Sequence, residues 1–237
     1  MSTHHVARPV TAITGGSSGI GAAAARQLLA HGHRVAVTGR HADRLERLAN
    51  DLGRPAELLT IVADAADPDA MSTAVEQTVD AFGRLDNAVA NAGVASHDGL
   101  ADGDPALWRE MVLTNVLGPA LLVRFALPHL RQTRGRIVFV GSVAGHVGIA
   151  ANIYGATKWA VTALAENTRL MCAPDGVGVT LVSPGRVDTN FWAPVGGPPD
   201  GDNLTSEQLA EALVWSTLQS PGVDVNTIIV RPKGAVI

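Results

Sequence analysis

Short runs that are apolar at nearly every position alternate with longer stretches whose apolar positions recur at helical spacing, and the alternation continues along the whole chain. Strands that read this way are buried on both faces, which is the condition of a parallel sheet covered by helices on each side. The pattern predicts strands at Val10–Thr14, Arg34–Thr38, Glu57–Val62, Asn87–Ala90, Arg136–Val140, Gly178–Val182 and Thr227–Val230. Seven such strands predict one α/β domain over residues 1–237, a doubly wound seven-stranded parallel sheet.

Helix ends are marked by residues with defined capping chemistry. Asp67-Pro68 supplies an N-cap and a first-turn proline for a helix predicted to run to Phe82 and stop at Gly83; Asp104-Pro105 opens the next in the same way. Gly32 and Gly53 are predicted stops for two earlier helices. Thr205 with Gln208 reads as a capping box ahead of Leu209, Ala212, Leu213 and Ser216. One segment breaks the rhythm: residues 193–203 are so rich in Gly and Pro that neither helix nor strand is expected. Because the segment follows the carboxyl end of a strand, where open α/β sheets bind ligands, a mobile lid at about 190–204 is expected there.

Composition narrows the picture. The chain has 237 residues, 46% hydrophobic, enough for a large core. No run of ~20 uninterrupted apolar residues occurs, and the first residues lack the charged-then-apolar pattern of a signal peptide, so a cytoplasmic protein without a membrane partner is expected. A net charge of −4 without long Lys/Arg clusters argues against nucleic acid as a partner. The lone cysteine, Cys172, reads as a buried structural thiol. No Cys/His cluster accompanies His4 and His5, so no metal site is expected.

The first strand leads directly into a glycine-rich turn carrying Gly15, Ser17, Ser18, Gly19, Ile20 and Gly21, followed by an alanine-rich helix. Glycines at a strand-to-helix junction let the backbone approach a pyrophosphate, and the helix N-terminus offers unpaired N–H groups. The spacing is Gly-x-x-x-Gly-x-Gly, without the Gly-Lys-Ser/Thr of a Walker loop. At the end of the second strand, where an acid would hold a ribose 2′-hydroxyl, stand Gly39 and Arg40. An arginine there suits a 2′-phosphate, so NADP(H) is expected over NAD(H). The competing reading pairs Arg40 with a helix acid such as Asp43 or Glu46.

The only tyrosine, Tyr154, stands four residues before Lys158 and twelve after Ser142. Residues i and i+4 share a helix face, so the Lys158 ammonium is expected close to the Tyr154 phenol, favouring its anion. A free phenol titrates near pH ~10, and lowering that by ~3 units needs roughly 4 kcal/mol of differential stabilisation.

With the glycine turn, Asn91-Ala92-Gly93, Asn115, Ser142, Tyr154-x-x-x-Lys158 and Pro184-Gly185 in this order, the chain resembles the short-chain dehydrogenase/reductase family over nearly its whole length. The resemblance implies a Rossmann fold and a hydride transfer between nicotinamide and a ketone or aldehyde, reversibly a secondary alcohol. It gives Tyr154 the role of general acid/base, Ser142 that of polarising the carbonyl, Lys158 those of depressing the tyrosine pKa and binding the nicotinamide ribose, and Asn115 that of holding a relay water. Asp64 and Ala65 are implied at the adenine, Asn91, Ala92 and Gly93 at the adenosine ribose, and Pro184, Gly185, Val187 and Thr189 at the nicotinamide. The stretch from Val223 to Pro232 is similar to that of 3-hydroxy-acid and serine dehydrogenases. The helices around Leu107–Leu130 and Tyr154–Met171 resemble the surfaces through which such proteins form homotetramers or homodimers.

Phe191 and Trp192 at the lid base are expected to form an apolar wall or simply core, and His97, His146 and Trp108 to reach the pocket mouth or serve as structural residues. Two other outcomes use the same fold: a biosynthetic reductase acting on imine or enol substrates, and a cofactor-binding sensor or scaffold without turnover. The intact Tyr154 and Lys158 weigh against the sensor. The intact glycine turn and Arg40 weigh against a halide-eliminating relative.

Overall fold

A computed structural model describes residues 8–235; the histidine pair His4 and His5 lies outside them. Seven parallel strands form one sheet in the order β3-β2-β1-β4-β5-β6-β7. They are β1 (Val10–Ile13), β2 (Arg34–Gly39), β3 (Leu58–Val62), β4 (Asn87–Ala90), β5 (Arg136–Val140), β6 (Gly178–Pro184) and β7 (Thr227–Val230). The helices are α1 (Gly19–Ala30), α2 (Ala42–Asp51), α3 (Pro68–Phe82), α4 (Pro105–Val112), α5 (Gly118–Thr133), α6 (Ile153–Cys172) and α7 (Ser206–Thr217). The chain winds outward from β1 to β3, then returns to place β4 against the other side of β1. That reversal opens a crevice beyond the carboxyl ends of β1 and β4, the position at which such sheets bind ligands.

Side-chain alternation builds two cores, one on each face. Ala12, Ala36, Ile137 and Phe139 face α3, α5 and α6, whereas Ile13, Val35, Val37, Val138 and Val140 face α1, α2 and α7. Cys172 is buried in the first of these, as expected of a structural thiol.

The capping chemistry forms as read. Asp67 accepts from the amides of Asp69 and Ala70, Asp104 accepts from that of Ala106, and Thr205 and Gln208 bond reciprocally. Gly83 ends α3 in the left-handed conformation, and Gly32 and Gly53 follow the ends of α1 and α2 in the same conformation.

Two expectations are corrected. The helix opened by Asp104 does not continue uniformly: Leu113–Leu117 widen into a π-helical turn between α4 and α5, which carries Asn115. Nor is the Gly/Pro segment wholly irregular, because Asn190–Val195 form a 3-10 helix that includes its first residues. Thr189 caps that helix at the Phe191 amide, and the Trp192 indole donates to the Val187 carbonyl at 2.9 Å. A short 3-10 run tolerates Pro194 because few of its amides need an internal acceptor.

By length and composition the continuous helix Pro105–Thr133 could cross a membrane, yet 56% of its most apolar window is buried. Leu121, Leu122, Ala126 and Leu130 from this helix pack into the core on the sheet.

Candidate active site

The glycine turn is held against the Asn91-Ala92-Gly93 turn by a compact set of bonds. The Asn91 amide nitrogen donates to the carbonyls of Thr14 and Gly15 at 2.9 and 3.0 Å. The Thr14 hydroxyl accepts from the backbone amides of Asn91 and Ala92, each at 3.1 Å. Room is so short that a Cβ on Gly15, whose φ is +65°, would lie 2.8 Å from the Ala92 Cα. One on Gly21 would lie 2.5 Å from the Gly15 oxygen. Glycine is required at both positions by this approach of two backbones.

A cavity of about 660 Å³ runs from this turn across the carboxyl ends of the strands. Its lining includes Gly15, Ser17, Ser18, Gly19, Ile20, Gly39, Arg40, Asp64 and Ala65 at the nucleotide end. Asn91, Ala92, Gly93, Ser142, Tyr154, Lys158, Pro184, Gly185, Val187 and Thr189 line it too. Of the residues assigned a catalytic or cofactor role from the sequence, Gly21 and Asn115 are not part of this lining. His41 and Arg44 also line the cavity. Sequence reasoning missed Arg44, although its position four residues after Arg40, at the start of a helix, was a usable signal.

Arg40 pairs with neither Asp43 nor Glu46. Those acids bind Arg47 and Arg54, and Arg40 instead meets Glu110 of α4, Nη1 to Oε1 at 2.6 Å. Asp64 accepts from the Ala66 amide at 2.9 Å, which fixes the turn after β3.

At the other end of the cavity, Ser142 opens the strand-to-helix connection after β5, where it caps the 3-10 turn Val143–Gly145. Its hydroxyl accepts from the Ala144 amide at 3.1 Å, and the side chain lines the same cavity as Tyr154. The turn-capping reading of Ser142 therefore holds. Tyr154 and Lys158 lie on consecutive turns of α6, whose N-terminus is capped by Asn152 at the Gly155 amide.

The expected lysine effect on the phenol is corrected. The Lys158 ammonium donates to the Val140 carbonyl at 3.0 Å and stands 5.7 Å from the centre of the Tyr154 ring. Burial pushes the Tyr154 phenol up to about 12, with the neighbouring Ser142 hydroxyl acting in the opposite direction. Burial likewise pulls Lys158 down to about 8. Desolvation is the leading cause of both shifts, so in the protein alone the tyrosine stays a neutral proton donor.

Asn115 is 1% exposed and ties three elements together. Its Oδ1 accepts from the Val94 amide, and its Nδ2 donates to the Val94 carbonyl and the Thr157 hydroxyl, at 2.9, 2.9 and 3.1 Å. Both donors and one of two acceptor lone pairs are used, leaving one lone pair.

Aromatic residues close the remaining side. The Phe191 ring meets Tyr154 edge-on at 5.4 Å, and His97 stacks on Trp192 at 5.2 Å. Val187 bridges Leu204, so the segment from Asp188 to Asn203 is a loop closed at its base. His146 binds the Ser183 hydroxyl at 2.8 Å and Trp108 binds Asp98 at 3.2 Å; neither lines the cavity. No group of three or more potential metal ligands occurs among the described residues.

The family model of the short chain dehydrogenases matches residues 9–198. An uncharacterized oxidoreductase of Staphylococcus epidermidis is 32% identical over 231 residues, 96% of this chain and 98% of the relative. One from Staphylococcus saprophyticus is 33% identical over 230 residues, 94% of this chain and 97% of the relative. Among solved structures, an alcohol dehydrogenase from the archaeon Thermococcus sibiricus complexed with 5-hydroxy-NADP superposes with a TM-score of 0.87 at 29% identity, over 95% of this chain and 97% of that one. A dehydrogenase/reductase from Sinorhizobium meliloti does so with 0.85 at 28%, over 95% and 94%. The chain belongs to the short chain dehydrogenase family and is an oxidoreductase acting on CH–OH groups.

Proposed function

We propose that the protein is an NADP(H)-preferring carbonyl reductase that converts a small to medium ketone or aldehyde to the alcohol, and the reverse. The observation that carries this reading is the placing of Ser142, Tyr154 and Lys158 at one end of a cavity whose other end holds the glycine turn and Arg40. The nucleotide fits this chain's residues: the Gly15 to Gly21 turn allows close backbone approach, no acid stands in the first turn of α1, and Arg40 faces the cavity. A neighbour of the same fold is a complex with 5-hydroxy-NADP, which supports a nicotinamide cofactor here.

When bound, the cofactor supplies the hydride to the carbonyl carbon. Tyr154 gives its phenolic proton to the substrate oxygen, and Ser142 donates a hydrogen bond to the same atom. Two donors at an oxygen that gains charge bind the transition state more tightly than the ground state. The elevated pKa of Tyr154 keeps the acid loaded at neutral pH. Lys158, anchored on Val140, holds positive charge beside the ring.

Val94, Ile149, Phe191, Trp192 and Pro194 give the walls around Tyr154 an apolar character, which favours an uncharged substrate. Arg186 is turned to the lid, where it donates to the Asp200 carbonyl at 3.0 Å. Residues 190–204 act as that lid. Exposed Leu107, Val112, Leu113 and Leu117 near α4, with Trp159, Leu170 and Met171 on α6, support a homotetramer or homodimer, read by light scattering. The test of function is NADPH oxidation over a panel of aliphatic, aromatic and 3-oxo-acid carbonyls, with NADH in parallel. Turnover of neutral ketones with NADPH is expected. Tight NADPH binding without turnover of any carbonyl would instead favour a sensor or an imine reductase.

A further inference from the structure

Arg40, the residue read as the seat of a 2′-phosphate, is engaged by a carboxylate seventy positions away in the chain. We infer that Glu110 is a specificity-determining residue that competes with the 2′-phosphate for Arg40 and so limits the preference for NADP(H) over NAD(H). The inference rests on the reading of Arg40 given above.

The Arg40–Glu110 contact is 2.6 Å long, and both side chains are 43% exposed. Among the described residues neither makes another salt bridge. An ion pair this exposed contributes little to stability, so it does not lock the guanidinium in place. Its charge acts nonetheless. The carboxylate neutralises Arg40 in the free protein, and a phosphate arriving at Arg40 must either displace Glu110 or bind beside it. Either course costs NADP(H) affinity. A ribose 2′-hydroxyl carries no charge, so NAD(H) incurs no such penalty.

Glu110 lies on α4, outside the cavity lining, and touches none of the reacting groups. It is therefore a positioning residue that acts through Arg40. Its position on a different element explains why the acids near Arg40 in sequence, Asp43 and Glu46, gave the wrong partner.

The test is titration of the full chain with NADP⁺ and NAD⁺ separately, using wild type, Glu110→Gln, Arg40→Ala and the double variant, at low and high salt. Glu110→Gln is expected to tighten NADP⁺ about three- to ten-fold at low salt and less at high salt, as removal of one charge near a dianion requires. NAD⁺ affinity should stay within about two-fold, which also verifies that the variant is folded, and the gain should vanish in the Arg40→Ala background. Unchanged or weakened NADP⁺ binding in Glu110→Gln, with Arg40→Ala still selective against NADP⁺, overturns the role of Glu110 alone. Equal loss of both nucleotides in Arg40→Ala overturns the phosphate reading and this inference together.

Discussion

The Lys158 ammonium is bonded to the Val140 carbonyl at the end of β5, 3.0 Å away, rather than to the phenol one helical turn before it. This buried cation is 6% exposed, and desolvation brings its pKa from an ordinary 10.5 to about 8. Below about 8 the lysine is charged in both folded and unfolded chains, and the fold bears the full cost of burying it. As pH rises toward 10.5 the folded chain is already neutral while the unfolded chain still binds the proton, so this cost is relieved, by on the order of 3 kcal/mol in total. Lys158→Met should therefore gain stability relative to wild type at pH 7 and lose that advantage by pH 10, despite the unpaired Val140 carbonyl. Denaturant unfolding of both proteins across this range reads the difference; a gap that widens with pH contradicts it.

Asn115 invites an isosteric test. The Thr157 hydroxyl gives its proton to the Tyr154 carbonyl at 2.7 Å, so toward Asn115 it can only accept. Asn115→Asp preserves shape but sets an acceptor against both this hydroxyl and the Val94 carbonyl. Each unsatisfied buried group costs about 1–3 kcal/mol, so Asp should be at least as damaging as Ala in thermal unfolding. If Asp were tolerated and Ala were not, the side chain would matter for volume rather than for its donors.

Gly21→Ala puts a Cβ 2.5 Å from the Gly15 oxygen and 2.6 Å from the Asn91 amide nitrogen. Neither the turn nor the Asn91 side chain, held by two carbonyls, can yield cheaply. Overpacking of this kind should cost about 1–3 kcal/mol and weaken NADPH, as measured by unfolding and by nucleotide titration. Wild-type stability in this variant would show that the two turns are not locked together.

Much of this arrangement was legible before any coordinates. The β4, β5 and β7 runs were readable to the residue because turn-forming or charged residues bound each apolar stretch. Asp67, Asp104 and Thr205 marked helix starts because capping is local chemistry. The i,i+4 spacing of Tyr154 and Lys158 placed those two on one helix face, whereas Ser142 was implied by the family resemblance. What stayed hidden depends on contacts between distant segments. The π-helical turn at Leu113–Leu117 accompanies bonds from Asn115 to Val94 and Thr157, and the partner of Arg40 arrives from α4. The height of the Tyr154 pKa was missed because i,i+4 spacing gives proximity without giving burial or the direction in which the lysine points.

The central claim is that Tyr154 is the proton donor in carbonyl reduction. Its most direct test is steady-state NADPH oxidation with a ketone turned over by the wild type, compared with Tyr154→Phe, alongside NADPH titration of both. Loss of a general acid should lower kcat by about 100-fold or more while NADPH affinity changes less than about three-fold. A phenylalanine variant that keeps more than about a tenth of wild-type kcat would assign the proton to another group and contradict the account.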